Sequence, residues 1–108
     1  MSVSAKAVAV EIVRFVMEHQ PGIVEGEFSD ADGRLHKVVD KCVMMTTEDL
    51  WSDSSYPQDG VFPCEVLSTW TDDQGRSLAK IDICVRDEAE ERLARLVVLA
   101  STIRDYFP

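Results

Sequence analysis

Two stretches of the chain share one pattern, and that pattern limits the folds open to it. Phe28-Ser29-Asp30-Ala31-Asp32-Gly33-Arg34 runs on to Val39-Asp40, and Trp70-Thr71-Asp72-Asp73-Gln74-Gly75-Arg76 runs on to Ile81-Asp82. The two align without a gap, so an internal repeat organises the chain. Each copy reads as a β-hairpin. Asp opens a type I turn because its carboxylate can accept hydrogen bonds from amides just ahead of it. Gly then takes the left-handed conformation and closes the turn with a bulge. A calcium loop is the functional alternative for Asp30-Ala31-Asp32-Gly33, but the further oxygen ligands and terminal Glu at fixed spacing are missing.

Alternation supports strands on both sides of each turn. Phe62, Cys64, Val66 and Trp70 fall on one face before the second turn, and Ala79, Ile81, Ile83 and Val85 on one face after it. Val24 and Phe28 precede the first turn, and Leu35, Val39 and Val43 follow it. Glu25 and Glu27 share the opposite face of their strand and read as a solvent-facing row.

The two ends carry mixed signals. Val8, Val10, Ile12 and Val16 alternate and are β-branched, which favours a strand. Val8, Ile12, Phe15, Val16 and His19 would also stripe a helix. Gln20-Pro21-Gly22-Ile23 fits a type II turn that would make 7–29 a hairpin. Near the other end, Glu88–Arg92 and Glu91–Arg95 have helical ion-pair spacing, whereas Leu96-Val97-Val98-Leu99 reads as a buried strand. Strands are favoured at both ends. The expectation is a mainly β fold of about six antiparallel strands, near 7–18, 22–29, 34–44, 61–71, 76–85 and 92–100, in a small barrel or sandwich built on two similar hairpins. The alternative is α+β, with terminal helices on a four-stranded sheet.

A length of 108 residues implies a single globular domain over 1–108, and 45% hydrophobic residues suffice for a core without a cofactor. Lys6, Glu11, Arg14 and Glu18 interrupt any secretory leader, and no run is long enough to span a membrane. A cytoplasmic location is therefore expected. Cys42, Cys64 and Cys84 are odd in number, lack a Cys-x-x-Cys pair and lie in apolar stretches. They read as reduced core residues rather than as disulfide or metal ligands.

Twenty acidic against eleven basic residues give a net charge of -9. A field of that sign disfavours nucleic acid and anionic membranes and favours a basic protein partner. No Gly-rich phosphate loop is present, and no basic groove carries stacking aromatics. His36 and Cys42 would stand about 20 Å apart along one strand, too far to act together. No nucleophile, base and oxyanion donor can be assembled, so neither an enzyme nor a metal site is expected.

Residues 46–60 read as a long loop, rich in Ser, Thr, Asp, Pro and Gly. It carries Trp51 and Tyr56 among Glu48, Asp49, Asp53 and Asp59. Aromatic anchors in an acidic rim resemble a protein interface, so Trp51, Tyr56, Asp49, Asp53 and Asp59 are the candidate partner-binding residues. The competing reading folds Trp51 back over the barrel end.

The run Glu25-Gly26-Glu27-Phe28 through Gly33-Arg34 and Val39-Asp40-Lys41, then Val66-Leu67, Trp70-Thr71-Asp72 and Gly75-Arg76, resembles a group of small uncharacterised bacterial proteins. The resemblance covers roughly residues 22–100. It implies a compact mainly β protein with strands at both ends, and implies no activity. The function expected is a non-enzymatic acidic module, of immunity or inhibitor type, that masks a basic partner. A structural or housekeeping domain and a small-ligand-binding β-barrel are the alternatives.

Overall fold

A computed structural model describes residues 5–17, 22–87 and 90–107. His19, the Gln20-Pro21 half of the expected type II turn and Glu88 lie outside the described residues. The fold is mainly β, and the described residues form seven strands: β1 (Lys6–Met17), β2 (Ile23–Ser29), β3 (Leu35–Lys41), β4 (Gln58–Thr71), β5 (Ser77–Asp87), β6 (Glu90–Leu99) and β7 (Ile103–Asp105). Short 3₁₀ turns follow β3 at Cys42–Met44 and β6 at Ala100–Thr102. The described residues contain no α-helix, so both chain ends follow the strand reading.

The sheet runs in the order β3-β2-β1-β4-β5-β6, with β7 also pairing β1. All pairs are antiparallel. The long β4 curls the sheet, because its first half pairs β1 and its second half pairs β5. β3 thereby comes to face β5 across a shared core, and the sheet forms a half-barrel. Val8, Ile12, Val24, Val38, Ile81 and Val98 fill it at full burial, and Met45 enters from the segment after β3.

The repeat holds bond for bond at its turns. Asp30 N–H donates to Arg34 O (2.9 Å) and Gly33 N–H to Asp30 O (3.0 Å). Asp72 N–H donates to Arg76 O (2.9 Å) and Gly75 N–H to Asp72 O (3.1 Å). Gly33 and Gly75 stand at φ of 84° and 80°, the left-handed region in which a Cβ is strained. Asp30 Oδ1 accepts from the amides of Asp32 and Arg34, and Asp72 Oδ1 from those of Gln74 and Arg76. The two turns also meet, since Arg76 Nη1 donates to Ala31 O (3.3 Å).

The repeat does not extend to which face is buried. Phe28 and His36 form a cross-strand pair with Phe28 buried, whereas of the equivalent pair Trp70 is exposed and only Leu78 is buried. The register overturns several expected faces. Val38 is fully buried opposite Gly26, while Leu35 and Val43 are exposed and Val39 is half-buried, because even-numbered residues of β3 share the core face of Val24 and Phe28. A bulge between Val66 and Ser68 shifts the alternation in β4, so Trp70 leaves the face of Phe62 and Val66. Glu25 is buried rather than in a solvent row, because Arg14 covers it through two bonds of 3.1 and 3.2 Å. Glu91 and Arg95, four residues apart, pair across strands instead: Arg86 with Glu91 (3.1 Å) and Arg95 with Asp82 (2.8 Å).

Candidate functional site

The expected loop is real, although β4 begins at Gln58, so Asp59 and Gly60 belong to the strand. Its base is fixed from three sides. Val61 N–H donates to Met45 O (2.8 Å), Thr46 N–H to Cys42 O (3.1 Å), and the Tyr106 hydroxyl to Met44 O (2.8 Å). Leu50 then turns inward and joins the core.

Trp51 turns outward directly after it, and 49% of the residue is exposed. The loop does not fold this ring back over the core; Leu50 fills that place. The main chain at Trp51 is held tightly. Its N–H donates to Ser54 Oγ (2.9 Å), while its carbonyl accepts from Ser54 N–H (3.1 Å) and the Tyr56 hydroxyl (2.6 Å). Tyr56 is half-buried against the core, so it props Trp51 from behind. Burial first, then the charge environment of Cys42 and Asp53, raises the Tyr56 hydroxyl above its ordinary value, so it stays a protonated donor at neutral pH.

Asp49, Asp53 and Asp59 are all exposed. Asp49 and Asp59 line one groove together with Glu48 and the inner flank of the loop at Ser54 and Ser55. The register adds acids that composition did not single out. Glu11 stands opposite Glu27 on one side and Asp59 on the other, so Glu27, Glu11 and Asp59 form one row across β2, β1 and β4. The acidic surface therefore runs from β2 across β4 and into the loop.

His36 is engaged structurally. Its Nε2 is 2.8 Å from Asp30 Oδ2, and its ring lies 5.4 Å from that of Phe28. Burial works to raise the Asp30 carboxyl, but the His36 bond and the amides of Arg34 and Asp32 outweigh it and hold the group below the usual range. The cysteines differ from one another. Cys42 is buried, and Cys64 is half-buried with its thiol pushed up to about 11 by burial. Cys84 is exposed, contrary to the core assignment, because the buried Ile83 and Val85 on either side direct it outward. Among the described residues no three of His, Cys, Asp and Glu converge as metal ligands. No helix among them is long and apolar enough to cross a membrane.

Fold and site together define a curled antiparallel β domain that displays a braced aromatic loop beside an acidic sheet face. No protein-family model, no curated protein and no solved structure matches the chain.

Leu50, Ser54, Glu11 and Glu27 contribute to this surface without having stood out as its residues in sequence. An apolar pair, Leu50-Trp51, inside an acidic loop was the available sign of one inward and one outward side chain. The acidic row has no sequence sign, since its members are 16 and 32 residues apart at nearest.

Proposed function

We propose that this protein is a non-enzymatic binding module that masks a basic surface of another protein, in the manner of an immunity protein or a small inhibitor. The observation that carries this reading is the row Glu27–Glu11–Asp59. Like charges placed directly opposite one another on adjacent strands destabilise a sheet by up to ~1 kcal/mol per pair. A cationic partner would turn that self-repulsion into attraction and speed its own association. The braced Trp51 supplies the apolar contact. A large ring presented on a fixed main chain loses little freedom on binding, which is what an interface anchor requires. The free thiols suit the reducing cytoplasm.

The test is capture of partners from the native cell at low and at high salt, with the wild type, Trp51→Ala and Glu11→Gln/Asp59→Asn. A stoichiometric basic partner, released as salt rises and weakened in both variants, supports masking. A neutral or acidic partner, or binding indifferent to salt and to both variants, overturns it.

A further inference from the structure

We infer that a second copy of this chain docks on the free edge of β6, pairing the two β6 strands antiparallel about a two-fold axis at Leu93. The main chain shows which groups are available. Ala31 N–H donates to Val97 O (2.8 Å), so the polar groups of Val97 point away from β5. In an extended strand the N–H and C=O of one residue point the same way and alternate along the chain. The β5–β6 register runs unbroken from Leu78↔Leu99 to Asp87↔Glu90. Glu91, Leu93 and Arg95 therefore present their N–H and C=O outward like Val97. Among the described residues, 90–96 are bonded along their main chain to β5 alone.

This edge lacks two of the usual protections. It has no Pro and no bulge, whereas the opposite edge of the sheet, β3, is short and carries Lys37 and Lys41. Leu93 is 71% exposed, the most open large apolar residue described. The first hairpin turn ends the edge by occupying Val97, which leaves 90–96 as the segment to be paired.

The side chains specify the occupant. Glu91, Leu93 and Arg95 share the outer face with Arg86, Cys84 and Asp82, their partners on β5. Antiparallel self-pairing about Leu93 sets Glu91 opposite Arg95 of the other copy, twice by symmetry, with Leu93 meeting its counterpart at the axis. Each Glu91 already touches Arg86 and each Arg95 touches Asp82, so every row becomes Arg86, Glu91, Arg95, Asp82, alternating in sign across four strands. Three pairs of outward-facing residues would exchange roughly six main-chain hydrogen bonds. The segment carries Glu90, Glu91, Arg92 and Arg95 and is itself neutral, so the net charge of -9 does not oppose contact at this place. A different strand could satisfy the main chain, but a copy of β6 also satisfies the charge order and the apolar centre.

Sedimentation velocity over low-micromolar to about 200 µM protein tests this. The wild type is expected to dimerise with rising concentration. Glu91→Arg and Arg95→Glu each place two like-charged contacts in the interface, and each should weaken dimerisation at least about tenfold. An equimolar mixture of the two variants restores opposite charges at both contacts and should form a heterodimer, which also shows that both variants are folded. Leu93→Thr, a strand-compatible change at the axis, should weaken the dimer without altering charge. A wild type that stays monomeric throughout, a dimer indifferent to these substitutions, or a mixture that fails to associate overturns the inference.

Discussion

Gly60→Ala should lower the stability of the domain and loosen the binding loop together. A Cβ at Gly60 would lie 2.8 Å from Ile12 Cδ1, 3.0 Å from Ile12 Cγ1 and 2.9 Å from Met45 O. The Ile12 methyl can move a little within the core. The Met45 carbonyl is held by Val61 N–H at 2.8 Å and has no freedom to retreat without losing that bond. Overpacking of this kind costs about 1–3 kcal/mol, and the stiffer unfolded chain of Ala over Gly returns about 0.4–1 kcal/mol. The net loss centres on about 1.3 kcal/mol, which for a domain of this size lowers Tm by roughly 5–10 °C. Thermal unfolding followed by circular dichroism measures it. Ile12→Val removes Cδ1, the closest obstructing side-chain atom, and alone costs about 0.5–1.5 kcal/mol. The double variant should therefore lose less than the sum of the single losses, by about 0.5–1 kcal/mol. Because Met45 leads into the loop, Trp51 fluorescence should shift in Gly60→Ala. An unchanged Tm, or a strictly additive double variant, would refute the steric argument.

Asp30 has a depressed folded-state pKa, so its contribution to stability is present above the ordinary carboxylate pKa near 3.9 and is lost as pH falls through the folded value. Asp30→Asn should accordingly show a shallower loss of Tm below about pH 4 than the wild type. Gly33→Ala and Gly75→Ala should each destabilise by about 1 kcal/mol through the left-handed backbone, read by urea unfolding, although a Cβ meets nothing within 4 Å at either site. With a thiol at about 11, Cys64 is about one part in ten thousand thiolate at pH 7, so a maleimide should modify the exposed Cys84 well before Cys64 or Cys42. Mass spectrometry of partly labelled protein reads the order, and early labelling of Cys64 would contradict its burial.

The parts of the fold legible in sequence are those set by local chemistry. Asp30 and Gly33, like Asp72 and Gly75, decide a turn within five residues, and the turns form as expected down to the individual amide bonds. β-branched residues at Val8, Val10 and Ile12 likewise select strand over helix. The faces of the strands were less legible because parity is counted along a whole strand. One extra residue at the Val66–Ser68 bulge reverses every side chain beyond it. β3 is ambiguous for another reason: Leu35, Val38 and Val39 are apolar on both faces, and only pairing with Gly26 decides that Val38 goes in. β7 has no sequence signature because three residues carry no period; it exists where Lys6–Val8 offer an open edge and Lys6 meets Asp105 at 2.7 Å.

The loop itself was legible from composition, but the roles of its two aromatics were not. Trp51 and Tyr56 are alike in sequence, each an amphipathic ring beside acids. Their fates diverge because Leu50 takes the inward place next to Trp51, and because the Tyr56 hydroxyl finds a carbonyl to bond, which lets its ring be half-buried without stranding a polar group. The same logic separates the carboxylates. Glu25 finds Arg14 and is buried; Glu11, Glu27 and Asp59 are placed against one another by register, with Lys37 standing opposite Glu27 at the end of the row. A fold that pairs its buried acid but leaves a row of acids facing each other beside an outward tryptophan retains a cost to its own stability. That cost is intelligible if the row is completed by positive charge from another molecule, which is why the acidic face and the loop are read as one surface rather than as two unrelated features.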